Sequence, residues 1–366
     1  MPICASATKK RKNFSNHFSE TPPEPIAPPM PTAYLTTRNM KVGLRGERLE
    51  VSAPPEAEAD KEHPLPQRRW IPLHDVEHVV VDAGIHLSTA ALDGLLQRGI
   101  PILFLSNRNF PSGVATPINR STRALAAQLD TTRDNARCLP VAQAIVDAKI
   151  RNMRRTIQRL SANRKQPAVA ASWLKSMANQ AAACPTLDSL RGIEGAATGR
   201  YFETIGGFFP PDLPFERRSR RPPLNPPNAL LSFLYTLIIS ELTLHLRAIG
   251  LETGWGFFHE AEDGRPALAL DLAEPFRAPL ADALALDLLN HKRLRAHDFE
   301  YRDGGCFLRR ESRRRLFAAY EDRMEREFHY EKASHRTTLR NCMLQFCREA
   351  KAYFRDGPIP KPFLMN

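Results

Sequence analysis

The sequence lacks a long apolar run. Its most hydrophobic stretch, residues 229–239, falls far short of the ~20 residues that span a bilayer, so no membrane is expected as a partner. No apolar segment follows the basic residues Lys9, Lys10, Arg11 and Lys12, so the N-terminus does not read as a secretory leader. A solvated basic tail is expected there. The six cysteines (Cys4, Cys138, Cys184, Cys306, Cys342 and Cys347) include no C-x-x-C pair. That argues against a structural zinc site and leaves reduced thiols in a cytoplasmic protein as the expectation. There is no internal repeat. Acidic residues are in deficit: 40 Asp and Glu stand against 52 Lys and Arg, a net charge of +12. Such an excess says nothing about fold, but it favours a polyanionic partner, because each neutralised phosphate releases condensed counterions. A nucleic acid is the first expectation, ahead of a membrane surface.

What is present suffices for a core. Hydrophobic residues make up 42% of 366, which excludes global disorder and suggests about two domains. Residues 1–31 form a tail whose prolines (Pro22, Pro23, Pro25, Pro28, Pro29 and Pro31) disfavour regular structure. Residues 32–117 show short runs of β-formers around one helix over 89–98, with a proline-bearing loop at 54–66. The successive Val79, Val80 and Val81 predict a strand buried on both faces. From 118 to 366 the hydrophobic period becomes 3.6, with helices expected over 122–129, 141–160, 169–183, 187–202, 229–249, 273–290, 311–328 and 337–354. The fold class is therefore α+β, a small N-terminal β-rich domain followed by a larger, nearly all-helical one.

Three segments of the helical half concentrate chemistry. Glu194 sits in a helix among Gly192, Gly195, Ala196, Ala197 and Gly199. Small residues there permit close approach of another backbone or a ligand, and a solvent-facing glutamate on a packed helix is the alternative. An apolar loop, 254–259, delivers His259, which by itself is more often a packed, hydrogen-bonded core histidine than a ligand. Leu268 and Leu270 alternate like a strand into Asp271, and Pro275 suits the first turn of a following helix. Asp271 and Glu274, three residues apart, can share one side of that turn, or simply favour the helix dipole. Together, carboxylates and an imidazole suit Mg²⁺ or Mn²⁺. A basic protein holding such an ion near phosphates is most simply a phosphoryl-transfer enzyme acting on nucleic acid.

These segments, in this order, resemble the CRISPR adaptation integrase family. That family shows a G-I-E-G-x-A-A-x-x-Y-F helix (here 192–202), an R-P-P-x-D-P-x-N-x-L-L-S-F-x-Y-x-L segment (221–237), a G-x-x-H loop end (256–259) and G-R-x-x-L-x-x-D-L-x-E-P-F-R (264–277). The likeness reaches the β-rich region through its 71–81 run. Departures are Thr198 for the second alanine of the first motif, Asn225 for an aspartate, Ala267 for a frequent serine and Ala278 for a proline. The resemblance implies a catalytic set of Glu194, His259, Asp271 and Glu274, with the metal on Glu194, His259 and Glu274 and Asp271 nearby. Glu241 matches no catalytic position and reads as structural. The resemblance also implies an endonuclease and integrase that inserts foreign DNA fragments into a CRISPR array by 3′-hydroxyl attack at a repeat edge. Its implied partners are double-stranded DNA, a second copy through the β domain, and a small ferredoxin-like adaptation protein.

Arginine clusters fit a DNA track. Arg217, Arg218, Arg220 and Arg221 precede the apolar helix, Arg277 closes the last motif, Arg151, Arg154, Arg155 and Arg159 share a helix face, and Arg309, Arg310, Arg313, Arg314 and Arg315 form a third group. Two other functions fit the same residues: a metal-dependent repair nuclease on branched DNA, and a non-catalytic DNA-binding scaffold.

Overall fold

The computed structural model describes residues 32–54, 67–106, 111–117, 121–330 and 336–365. The expected tail with its basic patch, and nearly all of the proline-bearing loop, lie outside the described residues. The N-terminal region is built from β1 (Thr32–Leu35), β2 (Lys41–Arg45), β3 (Arg48–Ala53), β4 (Gln67–Pro72), β5 (His78–Val81), β6 (His86–Leu87), α1 (Thr89–Gln97), β7 (Ile102–Leu105) and β8 (Pro111–Ala115). They form two four-stranded sheets, ordered β1-β5-β7-β8 and β4-β3-β2-β6. In the first, β1, β5 and β7 run parallel and β8 antiparallel. In the second, β2, β3 and β4 form an antiparallel meander. Ser88 caps α1, as its side chain accepts from the Ala91 N–H.

The valine strand is buried on both faces, as its composition predicts. Val79 and Val81 join the N-terminal core with Leu49 and Leu95. Val80, with Leu103 and Leu105 of β7, faces the other way into the helical core. One sheet thus serves two cores, because successive strand residues point to opposite faces.

The rest comprises α2 (Thr122–Thr132), α3 (Asn135–Asn163), α4 (Ala171–Ala182), α5 (Leu187–Gly206), α6 (Pro226–Ala248), α7 (Ala267–Phe276), a π-helical segment (Arg277–Asp282), α8 (Ala283–Asn290), β9 (Phe299–Arg302), β10 (Gly305–Leu308), α9 (Arg310–Glu325), β11 (Phe328–His329), β12 (Arg336–Thr337) and α10 (Leu339–Tyr353). Side chains of Ser121, Asp134, Thr186, Asn225 and Thr338 cap α2, α3, α5, α6 and α10. The apolar helix α6 has 23 residues and a mean hydropathy of 1.6, long and apolar enough to cross a membrane, yet 78% of that stretch is buried inside the protein. It is the central core helix, against which α7, the π segment and α10 pack.

Two expectations are corrected. The alternation at Leu268 and Leu270 is not a strand: α7 begins at Ala267 and is buried on nearly every side. A helix buried all round is apolar all round, so it has no period to read. Pro275 therefore lies inside the helix rather than in its first turn. It has no N–H to give and crowds the carbonyl four residues back, and the helix widens to the π form directly after it. The larger domain is mostly helical, as expected, and also carries the β9–β10 hairpin, turned by Asp303 and Gly304 at φ 49° and 72°, and the short β11–β12 pair.

Candidate active site

Four elements converge on one buried lysine. Glu194 projects from α5, Glu274 from α7, and His259 from the loop between α6 and α7. Lys149, on α3, lies between the two glutamates. Its ammonium is paired with Glu194 Oε1 and stands 2.6 Å from Glu274 Oε2. Imidazole Nε2 of His259 is 3.9 Å from Glu274 Oε1. Lys149 and Glu274 side chains are each 3% exposed, while Glu194 is 22% and His259 19% exposed. The pocket is therefore open on the side of Glu194 and His259. Beside His259 lies a cleft of about 340 Å³, walled by Leu129, Trp255 and Phe258.

Asp271 builds the histidine loop. It is fully buried, and both of its oxygens are consumed. Oδ2 accepts the N–H groups of Phe257 (2.6 Å) and Phe258 (3.0 Å). Oδ1 accepts the His259 N–H (2.9 Å) and faces His259 Nδ1 at 2.6 Å. The Asp271 carboxylate against Nδ1 orients the ring so that Nε2 faces Glu274. The loop comes this close because residue 256 is glycine: a Cβ there would stand 2.4 Å from Asp271 Oδ2 and 2.9 Å from the Ala267 carbonyl carbon. Gln128, fully buried on α2, clamps the same loop through Glu252 and Trp255.

Burial resists ionisation of Glu274, but Arg277, Lys149 and His259 outweigh it and hold the carboxyl at about 2. Arg277 reaches Glu274 Oε1 at 3.1 Å, and its guanidinium lies 5.1 Å from the Tyr235 ring centre. Arg218 lies 5.4 Å from the same ring. The Tyr235 hydroxyl donates to Asp282 (2.6 Å), as does that of Tyr201 (2.9 Å). Burial raises Asp282 to about 6, against the two phenols and the two arginines.

Do these residues fit a divalent cation? Among the described residues no three His, Cys, Asp or Glu side chains stand together as a metal cluster. The two glutamates are instead drawn onto the ammonium. The donor chemistry does fit: two carboxylates and an imidazole suit a hard or borderline ion. Glu274 Oε2 is buried, and its contact with Lys149 is an ion pair without an aligned hydrogen bond.

The structure brings together all four candidate site residues, Glu194, His259, Asp271 and Glu274. It also shows what sequence reasoning passed over. Lys149 falls in the apolar register of α3, between buried Val146 and Ile150. A lysine on a core stripe is itself a signal, since lysine is rarely buried without a partner. Thr198, a departure from the family pattern, donates to Glu194 Oε1 at 2.8 Å. The three glycines around Glu194 make no close approach within the chain: a Cβ at Gly192, Gly195 or Gly199 would meet open space.

The arginine groups separate. Arg217, Arg220 and Arg221 are exposed, whereas Arg218 is tied to Asn228 and Ser232. The third group departs from a DNA track. Arg313 is buried on Asp82, Arg310 bonds the carbonyls of Thr36 and Ala83, and Arg315 pairs with Asp298. These arginines join α9 to its surroundings. Glu241 is structural as expected, buried against Arg340 (2.7 Å) and the Tyr320 hydroxyl (2.9 Å).

A family model described as CRISPR associated protein Cas1 matches residues 33–322. A CRISPR-associated exonuclease Cas4/endonuclease Cas1 fusion of Rhodospirillum rubrum is 34% identical over 355 residues, covering 94% of this chain and 59% of that protein. A CRISPR-associated endonuclease Cas1 of Thermus thermophilus is 34% identical over 299 residues, 81% of this chain and 88% of its own length. The chain spans about half the length of the two fusion proteins it matches, 59% and 48%. In fold it is similar to a CAS1 protein from Thermotoga maritima, with a TM-score of 0.74 at 22% identity over 90% of this chain and 98% of that one.

Proposed function

Because the chain belongs to the CRISPR associated protein Cas1 family, we propose that it is a metal-dependent DNA endonuclease and integrase that inserts foreign DNA fragments as new spacers into a CRISPR array. The 3′-hydroxyl of the fragment attacks a phosphodiester at a repeat edge. One phosphodiester forms, one breaks, and the severed repeat strand leaves with the proton on its own 3′-oxygen. The observation that carries this reading is the convergence of Glu194, His259 and Glu274, successively 65 and 15 residues apart along the chain, on one pocket beside an open cleft.

Glu194, Glu274 and His259 Nε2 would hold Mg²⁺ or Mn²⁺, which when bound polarises the phosphate and acidifies the attacking hydroxyl. Asp271 serves as a positioning residue, since its oxygens are spent on the His259 ring and loop. Arg277 adds fixed positive charge beside Glu274, where charge builds on the phosphate in the transition state. The exposed Arg217, Arg220 and Arg221 supply sequence-tolerant phosphate contacts. The open glycine face of α5 leaves room for a DNA backbone. Partners of the working enzyme are duplex DNA, a second copy of the chain and a small ferredoxin-like adaptation protein.

The test is covalent joining of a fragment to a repeat-bearing plasmid. Wild-type protein forms the joined product with Mg²⁺ or Mn²⁺ and none in EDTA. Glu194→Gln and His259→Ala lower joining by about 100-fold or more while melting cooperatively. Joining that persists in EDTA overturns the metal site. Cleavage without joining favours a repair nuclease, and salt-sensitive binding without covalent product favours a scaffold.

A further inference from the structure

Lys149 presents a physical problem that the proposed metal site does not resolve. Its side chain is 3% exposed, and its ammonium contacts the carboxylate oxygens Glu194 Oε1 and Glu274 Oε2. Those are the groups assigned above to the divalent ion. An ammonium and a divalent cation cannot both stand between the same two oxygens, because like charges at that separation repel strongly where water is scarce.

Three carboxylates, Glu194, Asp271 and Glu274, stand here with Lys149, Arg277 and the His259 ring. The side-chain cations are spent on carboxylates, whereas a divalent ion adds two positive charges, the sign a phosphodiester requires. Lysine is built for such a change: a compact charge on a flexible four-carbon stem can swing without rebuilding the backbone. A way out exists, since Glu194 is 22% exposed against 3% for Glu274.

We propose that Lys149 is the resident counter-ion of this site. It holds Glu194 and Glu274 together while no divalent ion is bound, and it gives up its place when the ion enters. Ion loading is then an exchange. The ammonium moves past the half-buried Glu194 toward solvent. This inference rests on the metal reading of Glu194, Glu274 and His259. It adds that the ion competes with a side chain of the protein itself, so that the metal-free site stays assembled rather than repelling itself apart.

The experiment uses the full chain and Mn²⁺ alone, without DNA. Amine acylation of the protein, read peptide by peptide by mass spectrometry, reports whether Lys149 is covered, with the exposed Lys175 as the internal reference. Calorimetry on the same samples reports whether Mn²⁺ binds. The expected result is a Lys149 protected in the metal-free protein and labelled several-fold faster once Mn²⁺ saturates, with Lys175 unchanged. Lys149→Met is expected to melt lower without metal and to bind Mn²⁺ about tenfold tighter, having lost its internal competitor. Mn²⁺ that binds while Lys149 stays protected overturns the exchange and leaves the metal site standing. No Mn²⁺ binding by the wild-type protein overturns both. The labelling needs only wild-type protein, so it decides the matter even where Lys149→Met fails to fold.

Discussion

At the scale of single residues, the site depends on side chains that would touch no DNA. Asp271→Asn removes a charge that serves three backbone N–H groups and one imidazole. We expect joining activity and Mn²⁺ affinity to fall by about 10- to 100-fold, as for other partners that orient a metal-binding histidine. Strand-transfer kinetics and calorimetry check this. A second residue sets an acid limit. His78 on β5 is buried, and desolvation first, then His245, pull its pKa down to about 3 despite Glu241. It faces the His245 ring edge-on at 4.8 Å, with Glu241, Arg340 and Glu77 around it. The unfolded chain takes up this proton near pH 6.5 and the folded chain does not, so stability is full above 6.5 and falls as pH drops toward 3. Glu241, held low chiefly by Arg340 against the cost of burial, adds a loss of the same sign below its ordinary range. Thermal melts from pH 7 to pH 4 should show a steep fall in Tm for the wild type and a flatter one for His78→Leu.

At the scale of elements, the interest lies in how α7 is held. It carries Asp271 and Glu274 on successive turns, and Pro275 leaves its hydrogen-bond ladder incomplete. Asn152 of α3 ties down the end of α7: its amide donates to the Pro275 carbonyl (2.6 Å) and the Phe363 carbonyl (2.9 Å), and its oxygen accepts the Met365 N–H (2.8 Å). The segment after α10 thus straps across α3 and α7, with Phe363 stacked on Phe276 at 5.4 Å. Asn152→Ala strands three buried backbone groups. We expect a loss of about 3 kcal/mol, at about 1–3 kcal/mol per unsatisfied group with some relaxation. Urea unfolding measures it. Joining should weaken as well, because Glu274 sits one residue before the carbonyl that is released.

At the scale of the whole molecule, the β-rich region and the helices are joined by buried charge as well as by apolar packing. Arg313 of α9 places NH1 2.8 and 2.6 Å from the two oxygens of Asp82, just beyond β5. Tyr34 of β1 donates to Glu321 of α9 at 2.7 Å, and Arg340 of α10 gathers Glu241, Glu321 and Glu325. Breaking a buried pair from one side leaves the other charge stranded. Arg313→Met should therefore cost about 3–5 kcal/mol, and Asp82→Asn combined with it should recover part of that loss. A double-mutant cycle on thermal or urea unfolding tests the coupling. The same junction explains why Arg310 and Arg313 of the third arginine group are spent inside the protein: their charges face β-region carbonyls and the Asp82 carboxylate across the interface, while Arg309, Arg314 and Arg315 stay exposed.

The sequence alone determined the order of the motifs, the switch from period two to period 3.6 near residue 118, and the residues that carry the candidate chemistry. Each of these is written in local spacing or in side-chain type. The Asp303-Gly304 pair is a local signal for the β9–β10 hairpin that the expected helices on either side hid. Only the tertiary structure decided that 267–276 is a helix, since an element buried on every side shows no face to read. It alone decided that Asp271 spends itself on the histidine loop, that Arg313 turns inward, and that Lys149 stands between two glutamates. Those outcomes depend on which distant charges the packed helices bring within a few ångströms, and that separation is not encoded at any one position in the chain.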